Sequence, residues 1–261
     1  MAGSPPSWSP PDASIRTRVS CCIIAFNEAD RIARTIESVR GLVDEVIVVD
    51  SGSTDGTQAL AEGFGARVVH RDWEGYGPQK RFAEEQARND FVLNLDADEW
   101  LSEELRAELR AILVQERMPA ASFRMRMTMV YPHHERPHIM ADSHNYIRLY
   151  DRTKTRFAAS MVHDTVEPTA DVIQLKAPAY HQSFRSIAHL VRKEIGYYEL
   201  QKREKTKNKA LLVLRVFTEI PWQFCKFYFI RGHIFGGFYG FILSVAVAFM
   251  RWTRILVLLG Y

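Results

Sequence analysis

From Val19 to Asp98 short apolar runs alternate with amphipathic stretches, the pattern of successive β-α-β units around a parallel sheet. VSCCIIAF, EVIVVD, ARVVHR and FVLNLDA are the predicted strands, and the near-continuous apolarity of CCII and VIVV predicts cover on both faces. Helices are predicted from about Glu28 to Arg40, stopped by Gly41, from Thr57 to Phe64, stopped by Gly65, and from Gln79 to Arg88. LSEELRAELRAIL is a further helix. From Ser122 to Tyr180 the pattern is less regular, and FRMRMTMVY, NYIRLYD and TRFAASMVH are expected as strands of a mixed or antiparallel extension. After His181 the chain turns helical, first charged through QKREKTKNKA and then apolar. The expected organisation is a loose tail over residues 1–17, an α/β domain with a mostly parallel central sheet over 18–180, and a helical, membrane-associated region over 181–261.

Composition changes this picture at three points. The opening MAGSPPSWSPPDASIRTR is rich in proline and serine and has no apolar run of the secretory kind, so the catalytic part is expected in the cytosol. Cys21 and Cys22 are adjacent in a strand and should face opposite sides, and Cys225 is remote, so no disulfide framework is implied. Charge is uneven: before Arg185 there are 21 Lys plus Arg against 27 Asp plus Glu, or −6, and from Arg185 onward 13 against 4, or +9. An acidic front suits a metal cation, and a basic, apolar tail suits an anionic surface.

Three polar residues, Asn27, Asp50 and Asp96, fall at the carboxyl ends of predicted parallel strands, the rim where open α/β sheets bind ligands. In LNLDADEW, Asp96 and Asp98 are two positions apart, and in extended backbone their carboxylates would share a side. At roughly 5 Å and an effective dielectric near 20 they repel by about 3 kcal/mol, which a divalent cation reverses; an all-oxygen set suits Mg²⁺ or Mn²⁺. The competing role is capping of the next helix by Asp98 or Ser102. VVDSGSTDGT follows a strand with a tight turn, in which Asp50 can accept hydrogen bonds from a uracil or ribose and Gly52 lets backbone approach a ligand. An ordinary turn with Asp55 as helix cap is the alternative. Lys80, at a helix start, is a candidate for compensating diphosphate charge. No G-x-G-x-x-G or Walker A string is present.

Together, CCIIAFNEADRIARTIESV, EVIVVDSGSTDGT and FVLNLDADEWLSEEL resemble glycosyltransferase family 2, whose nucleotide-sugar domain has the GT-A fold. GPQKRFAEEQA, RLYDR, MVHD and FCKFYFIRGHIFGGFYGF are similar to the bacterial branch with lipopolysaccharide core β-glucosyltransferases. The resemblance implies inverting, single-displacement transfer from a UDP-sugar with Mg²⁺ or Mn²⁺. The uridine-binding aspartate then falls on Asp50 and the metal-binding DxD on Asp96 and Asp98, while Asn27, Glu28, Gly52 and Lys80 complete the expected donor site. The branch usually has His-Glu where this chain has His163 and Asp164.

Inversion needs a base for the acceptor hydroxyl. Asp164, after a short apolar run and beyond the donor half, is the candidate, with Asp142 and Glu135 in reserve. HHERPHIMADSH invites a zinc site through His133, His134, His138 and His144, but lacks cysteines and the H-E-x-x-H spacing. Arg148 has two readings, a ligand for an acidic group or an exposed ion-pair partner.

Nineteen residues between Arg231 and Arg251 contain no acid or strong base, just reaching the length of a spanning helix, with four glycines in the first half. Trp222, Phe224, Phe227, Tyr228, Phe229 and Trp252 flank or precede it, and Lys202, Arg203, Lys205, Lys207 and Lys209 lie upstream. Interfacial helices at the cytoplasmic face of the inner membrane are expected, peripheral or anchored by the C-terminal segment. Basic and aromatic residues do not interleave as a nucleic-acid surface would require. The expected partners are a UDP-sugar donor, a lipid-linked saccharide acceptor and a membrane surface. Transfer to a polyprenyl phosphate, or a non-catalytic nucleotide-binding protein of the same fold, are the alternatives.

Overall fold

Strand β1 (Val19–Ala25) is buried at every position and lies between two parallel neighbours, β2 (Glu45–Asp50) and β4 (Phe91–Asp96). A computed structural model of the protein describes residue 11 and residues 14–158, 165–192 and 209–260. Its sheet has eight strands in the order β3-β2-β1-β4-β7-β6-β8-β5, with β3 (Arg67–His70), β5 (Glu99–Leu101), β6 (Ser122–Met129), β7 (Ser143–Asp151) and β8 (Val172–His181). Strands β3, β2, β1 and β4 are parallel, and β7 joins β4 antiparallel, as does β6 to β7 and β5 to β8. This is the α/β, GT-A-like arrangement expected, a parallel half with a mixed extension.

Two apolar layers cover the sheet because successive side chains of a strand alternate between its faces. Cys21, Ile23, Val46, Val48, Leu93 and Leu95 pack on one side with helix α1 (Ile32–Val39) and helix α4 (Glu103–Leu113). Helix α2 (Thr57–Gly63) contributes Ala61 to the same layer. Cys22, Ile24, Ile47, Val49 and Val92 pack on the other with helix α3 (Tyr76–Glu85). The two cysteines do face opposite layers.

Several boundaries differ from expectation. Helix α1 starts at Ile32, because Asn27 has a left-handed backbone (φ 55°) and Glu28 to Arg31 form a turn with Arg31 N–H on the Glu28 carbonyl at 3.0 Å. Helix α3 starts at Tyr76, ahead of Gln79; Pro78 falls within its first turn, where the missing N–H has no intrahelical partner to lose. TRFAASMVH yields an isolated bridge, Phe157 to Val166. Residues 159–163 of that run, His163 among them, and Asp164 after it lie outside the described residues.

The chain divides into two units, Met1–Thr128 with Ser143–His181, and Met129–Asp142 with Gln182–Tyr261. The second contains helix α5 (Lys209–Cys225), a π-helical turn Lys226–Ile230, a 3-10 turn His233–Gly236 and helix α6 (Gly237–Leu259). The loop 129–142 belongs with these helices rather than with the sheet. Tyr131 is its anchor, hydrogen-bonded to His233 and packed with Phe184, Leu243, Val247 and Met250. The glycines of the apolar run serve this packing: a Cβ on Gly236 would lie 2.5 Å from the Tyr131 ring, and one on Gly240 would collide with the His233 carbonyl.

Candidate active site

The site forms where β1, β2 and β4 end. Ala25 pairs with Asp50 and Ile24 with Asp96, so the two acids occupy one rim, two strand spacings or about 10 Å apart. The loops leaving this rim are bound to each other. Asn27 N–H donates to Ser53 Oγ (2.8 Å), and Asn27 Oδ1 accepts from Thr54 N–H (2.9 Å). Glu28 N–H donates to Thr57 Oγ1 (2.7 Å), and Asp55 accepts from the N–H groups of Ala29 and Thr57, each at 3.0 Å.

Asp50 is fully buried and accepts from Gly52 N–H (2.9 Å), Ser53 N–H (2.8 Å) and the side chains of Ser53 and Gln58. Gly52 supports this turn with a backbone at φ +93°, a region that disfavours a side chain. The carboxylate therefore shapes the loop from inside. Asp50→Ala strands three N–H donors and is expected to cost about 3 kcal/mol, read as a lowered denaturant midpoint at unchanged m-value.

Beside it, the DxD acids stand within a ring of cations. The strand stops at Asp96, and residues 97 and 98 form a turn, so the two carboxylates do not share an extended face as the i, i+2 spacing predicted. Asp96 Oδ1 lies 2.9 Å from Lys80 Nζ, and Oδ2 lies 3.3 Å from Arg148. Asp98 Oδ2 lies 3.4 Å from Arg31, and Oδ1 lies 3.5 Å from His181 Nε2. Glu99 accepts from Arg148 at 2.6 Å and from the Asp96 N–H at 3.0 Å, while Glu28 clasps Arg31 through two bonds of 2.7 Å. Four acids and four basic groups thus interlock. Helix capping is done by Ser102, whose hydroxyl accepts from Leu105 N–H at 3.1 Å, which leaves Asp98 out of that role.

The charge states follow. Burial would raise the Asp96 carboxyl, but Lys80 and Arg148 outweigh it and hold the group well below the usual carboxylate range. Burial likewise opposes the Asp98 charge, and His181 and Arg31 overcome it. At Glu99 burial wins over Arg148, and the carboxyl is raised. Burial would lower the His181 imidazole, but Asp98 and then Glu99 push it up to about 9.

Lys80 is wholly buried, with its ammonium 5.0 Å from the centre of the Phe157 ring, so it serves Asp96 rather than solvent. Arg148, read from the sequence partly as an exposed edge residue, is only 2% exposed. Arg31, Glu99 and His181 were absent from the sequence-derived set. Glu99, adjoining the DxD pair, is the one a local pattern could have flagged. Asp142 falls in the helical unit, 3.1 Å from Arg231 and 3.7 Å from His233, and Glu135 is exposed. His134 and His138 pack on Tyr131 at ring separations of 5.9 and 4.7 Å, and His144 is exposed on β7. Among the described residues no group of three or more His, Cys, Asp or Glu converges on a metal position. Asp96 and Asp98 are the carboxylates that a divalent ion would use here, with diphosphate and water as its other ligands.

The chain belongs to glycosyl transferase family 2, whose family model matches residues 20–170. It is 40% identical over 249 residues to an uncharacterized glycosyltransferase of Rickettsia felis, covering 91% of this chain and 88% of that one. It is 32% identical over 241 residues to the lipopolysaccharide core biosynthesis glycosyltransferase LpsC of Rhizobium meliloti, covering 88% and 87%. Among solved structures it is similar to glucosyl-3-phosphoglycerate synthase from Mycobacterium tuberculosis in complex with Mn²⁺, UDP and glucosyl-3-phosphoglycerate. That match has 28% identity over 45% of each chain and a TM-score of 0.32.

Proposed function

We propose that this glycosyltransferase transfers a sugar, glucose by its resemblance, from a UDP-sugar to a lipid-linked saccharide such as a lipopolysaccharide core, with inversion. The observation that carries the proposal is the interlocked set of Asp96, Asp98, Glu99 and Glu28 with Lys80, Arg148, Arg31 and His181 at the carboxyl rim of the parallel sheet. Family membership and the likeness to a lipopolysaccharide core enzyme support the substrate class.

In this mechanism Lys80 and Arg148 keep Asp96 ionised and in place, and Arg31 with His181 does the same for Asp98. Both carboxylates are then anions at neutral pH, ready for a divalent ion and the diphosphate that accompanies it. When bound, Mg²⁺ or Mn²⁺ neutralises the departing diphosphate. Because the acids and bases of the cluster balance, the site would favour an ion and a nucleotide together over either alone. Asp50 sets the loop against which the nucleoside rests, with Asn27 and Glu28 closing it from β1. The acceptor proton goes to Asp164, assigned by its place after a short apolar run and beyond the donor half. The active site faces the cytoplasm, and the C-terminal helices rest on the inner membrane. His233–Leu259 is long and apolar enough to cross a bilayer by length and composition, yet the stretch of α6 before Arg251 is only about 20 Å, short of a hydrocarbon core of about 30 Å.

The test is a screen of labelled UDP-sugars against extracted cell-envelope lipids, with and without Mn²⁺. Label on a saccharide-bearing lipid, dependent on metal, is expected. Label on a polyprenyl phosphate instead would replace the proposed acceptor. Calorimetry of UDP with and without Mn²⁺ should show binding that needs the ion; such binding with no transfer to any lipid would make the protein a nucleotide-binding relative.

A further inference from the structure

Helix α1 grips the DxD turn through more than charge. Arg31, just ahead of the helix, faces Asp98 at 3.4 Å, and the Arg34 guanidinium lies 4.5 Å from the centre of the Trp100 ring. One turn on from Arg31, Thr35 Oγ1 donates to the Ala97 carbonyl at 2.9 Å. Thr35 is 1% and Ala97 3% exposed, so this bond is made in the core, and Ala97 is the residue that separates the two acids. A helical threonine ordinarily turns its hydroxyl to solvent or back to the carbonyl four residues earlier. Here the single hydroxyl proton leaves the helix for a peptide oxygen 62 positions away.

The acids need such a restraint. Strand β4 ends at Asp96, and Ala97 and Asp98 form a turn, so no strand pleat fixes the distance between the two carboxylates. That distance depends on how the Ala97 peptide is rotated. Each carboxylate oxygen of the pair faces a basic group: Lys80 and Arg148 at Asp96, Arg31 and His181 at Asp98. Those ion pairs use the same oxygens that a divalent ion takes as ligands. The bond from Thr35 uses a peptide oxygen instead and does not compete with the ion. A buried carbonyl without a donor is costly, so the hydroxyl holds the turn in the orientation that satisfies it.

We propose that Thr35 is a positioning residue for the metal pair: its hydroxyl fixes the Ala97 peptide, and with it the separation of the Asp96 and Asp98 carboxylates. The proposal rests on the reading of those two acids as the ligands of a divalent ion. Thr35 acts on the ion through Ala97, as hydrogen bonds outside a ligand set do when they orient the ligands.

Titration of Mn²⁺ into the full chain in the presence of UDP, with free Mn²⁺ read by electron paramagnetic resonance, tests it without any sugar transfer. Thr35→Val keeps the shape of the side chain and removes the donor, and it should weaken Mn²⁺ binding about tenfold. Thr35→Ser returns the hydroxyl and should restore wild-type binding. Ser38→Ala is the control, because Ser38 is buried on the same helix and donates to the Thr35 carbonyl at 2.8 Å rather than to the DxD turn. It removes one buried hydrogen bond, as Thr35→Val does, so melting temperatures should fall by similar amounts while Mn²⁺ binding stays unchanged. Thr35→Ala gives the same comparison if the valine variant does not fold. Wild-type Mn²⁺ binding in Thr35→Val, equal weakening by Ser38→Ala, or no recovery in Thr35→Ser overturns the proposal. A wild-type chain that binds no Mn²⁺ with UDP refutes the metal assignment and this proposal together, a result distinct from a wild type that binds the ion and a Thr35→Val variant that binds it equally well.

Discussion

Asp98→Ala is expected to lower the turnover of sugar transfer by about 10² to 10³-fold, the effect of removing one preorganised charge from a transition-state clamp. Asp98 is held by Arg31 and His181 but caps no helix, since Ser102 does that. Its removal leaves Arg31 on Glu28 through both of its bonds, so the fold should lose only about 1–2 kcal/mol. The effect should fall on kcat more than on the binding of UDP without metal. Steady-state kinetics at saturating Mn²⁺, with a melting curve of the same variant, separates the two. Undiminished kcat would refute the metal assignment, and a variant that unfolds would show Asp98 to be a structural residue.

Arg148→Ala should have the largest effect on stability. Arg148 and Glu99 are 2% and 1% exposed and meet at 2.6 Å, so deleting the guanidinium leaves a buried carboxylate with no cation in its place. Breaking such a pair costs about 3–5 kcal/mol, which for a chain of this size lowers Tm by roughly 10 °C. The double variant Arg148→Met/Glu99→Gln should recover much of the loss, because no charge is then buried alone and the glutamine oxygen still accepts from the Asp96 N–H. Additive losses in the two single variants and the double would mean that the pair is not coupled. Asp96 keeps Lys80 at 2.9 Å in every one of these variants, so residual activity reports on Arg148 itself.

The parallel half of the sheet was legible from the chain alone. CCII and VIVV are locally apolar on both faces, and a strand buried on both faces has no other pattern to show. With β1, β2 and β4 placed, Asp50 and Asp96 had to fall at their carboxyl ends, because strand polarity carries every parallel end to one rim. The opposite facing of Cys21 and Cys22 follows from the period of two.

The tertiary structure decided what lies around those ends. Strand β5 is three residues long, and along β8 only Leu175 and Ala179 are buried, with no alternation to read; β5 exists because it pairs with β8, Trp100 with Tyr180, and β8 because it lies between β5 and β6. That pairing carries His181 to Asp98, and the β4–β7 ladder carries Arg148 to Asp96 and Glu99. Their partners are distant in sequence, and no local period records which distant chains will meet. The sequence by itself determined the strands and the acids at their tips, since these depend on side chains within a few residues. Which cations surround those acids, and which loop groups Asp50 accepts from, were decided only by chain closure and packing.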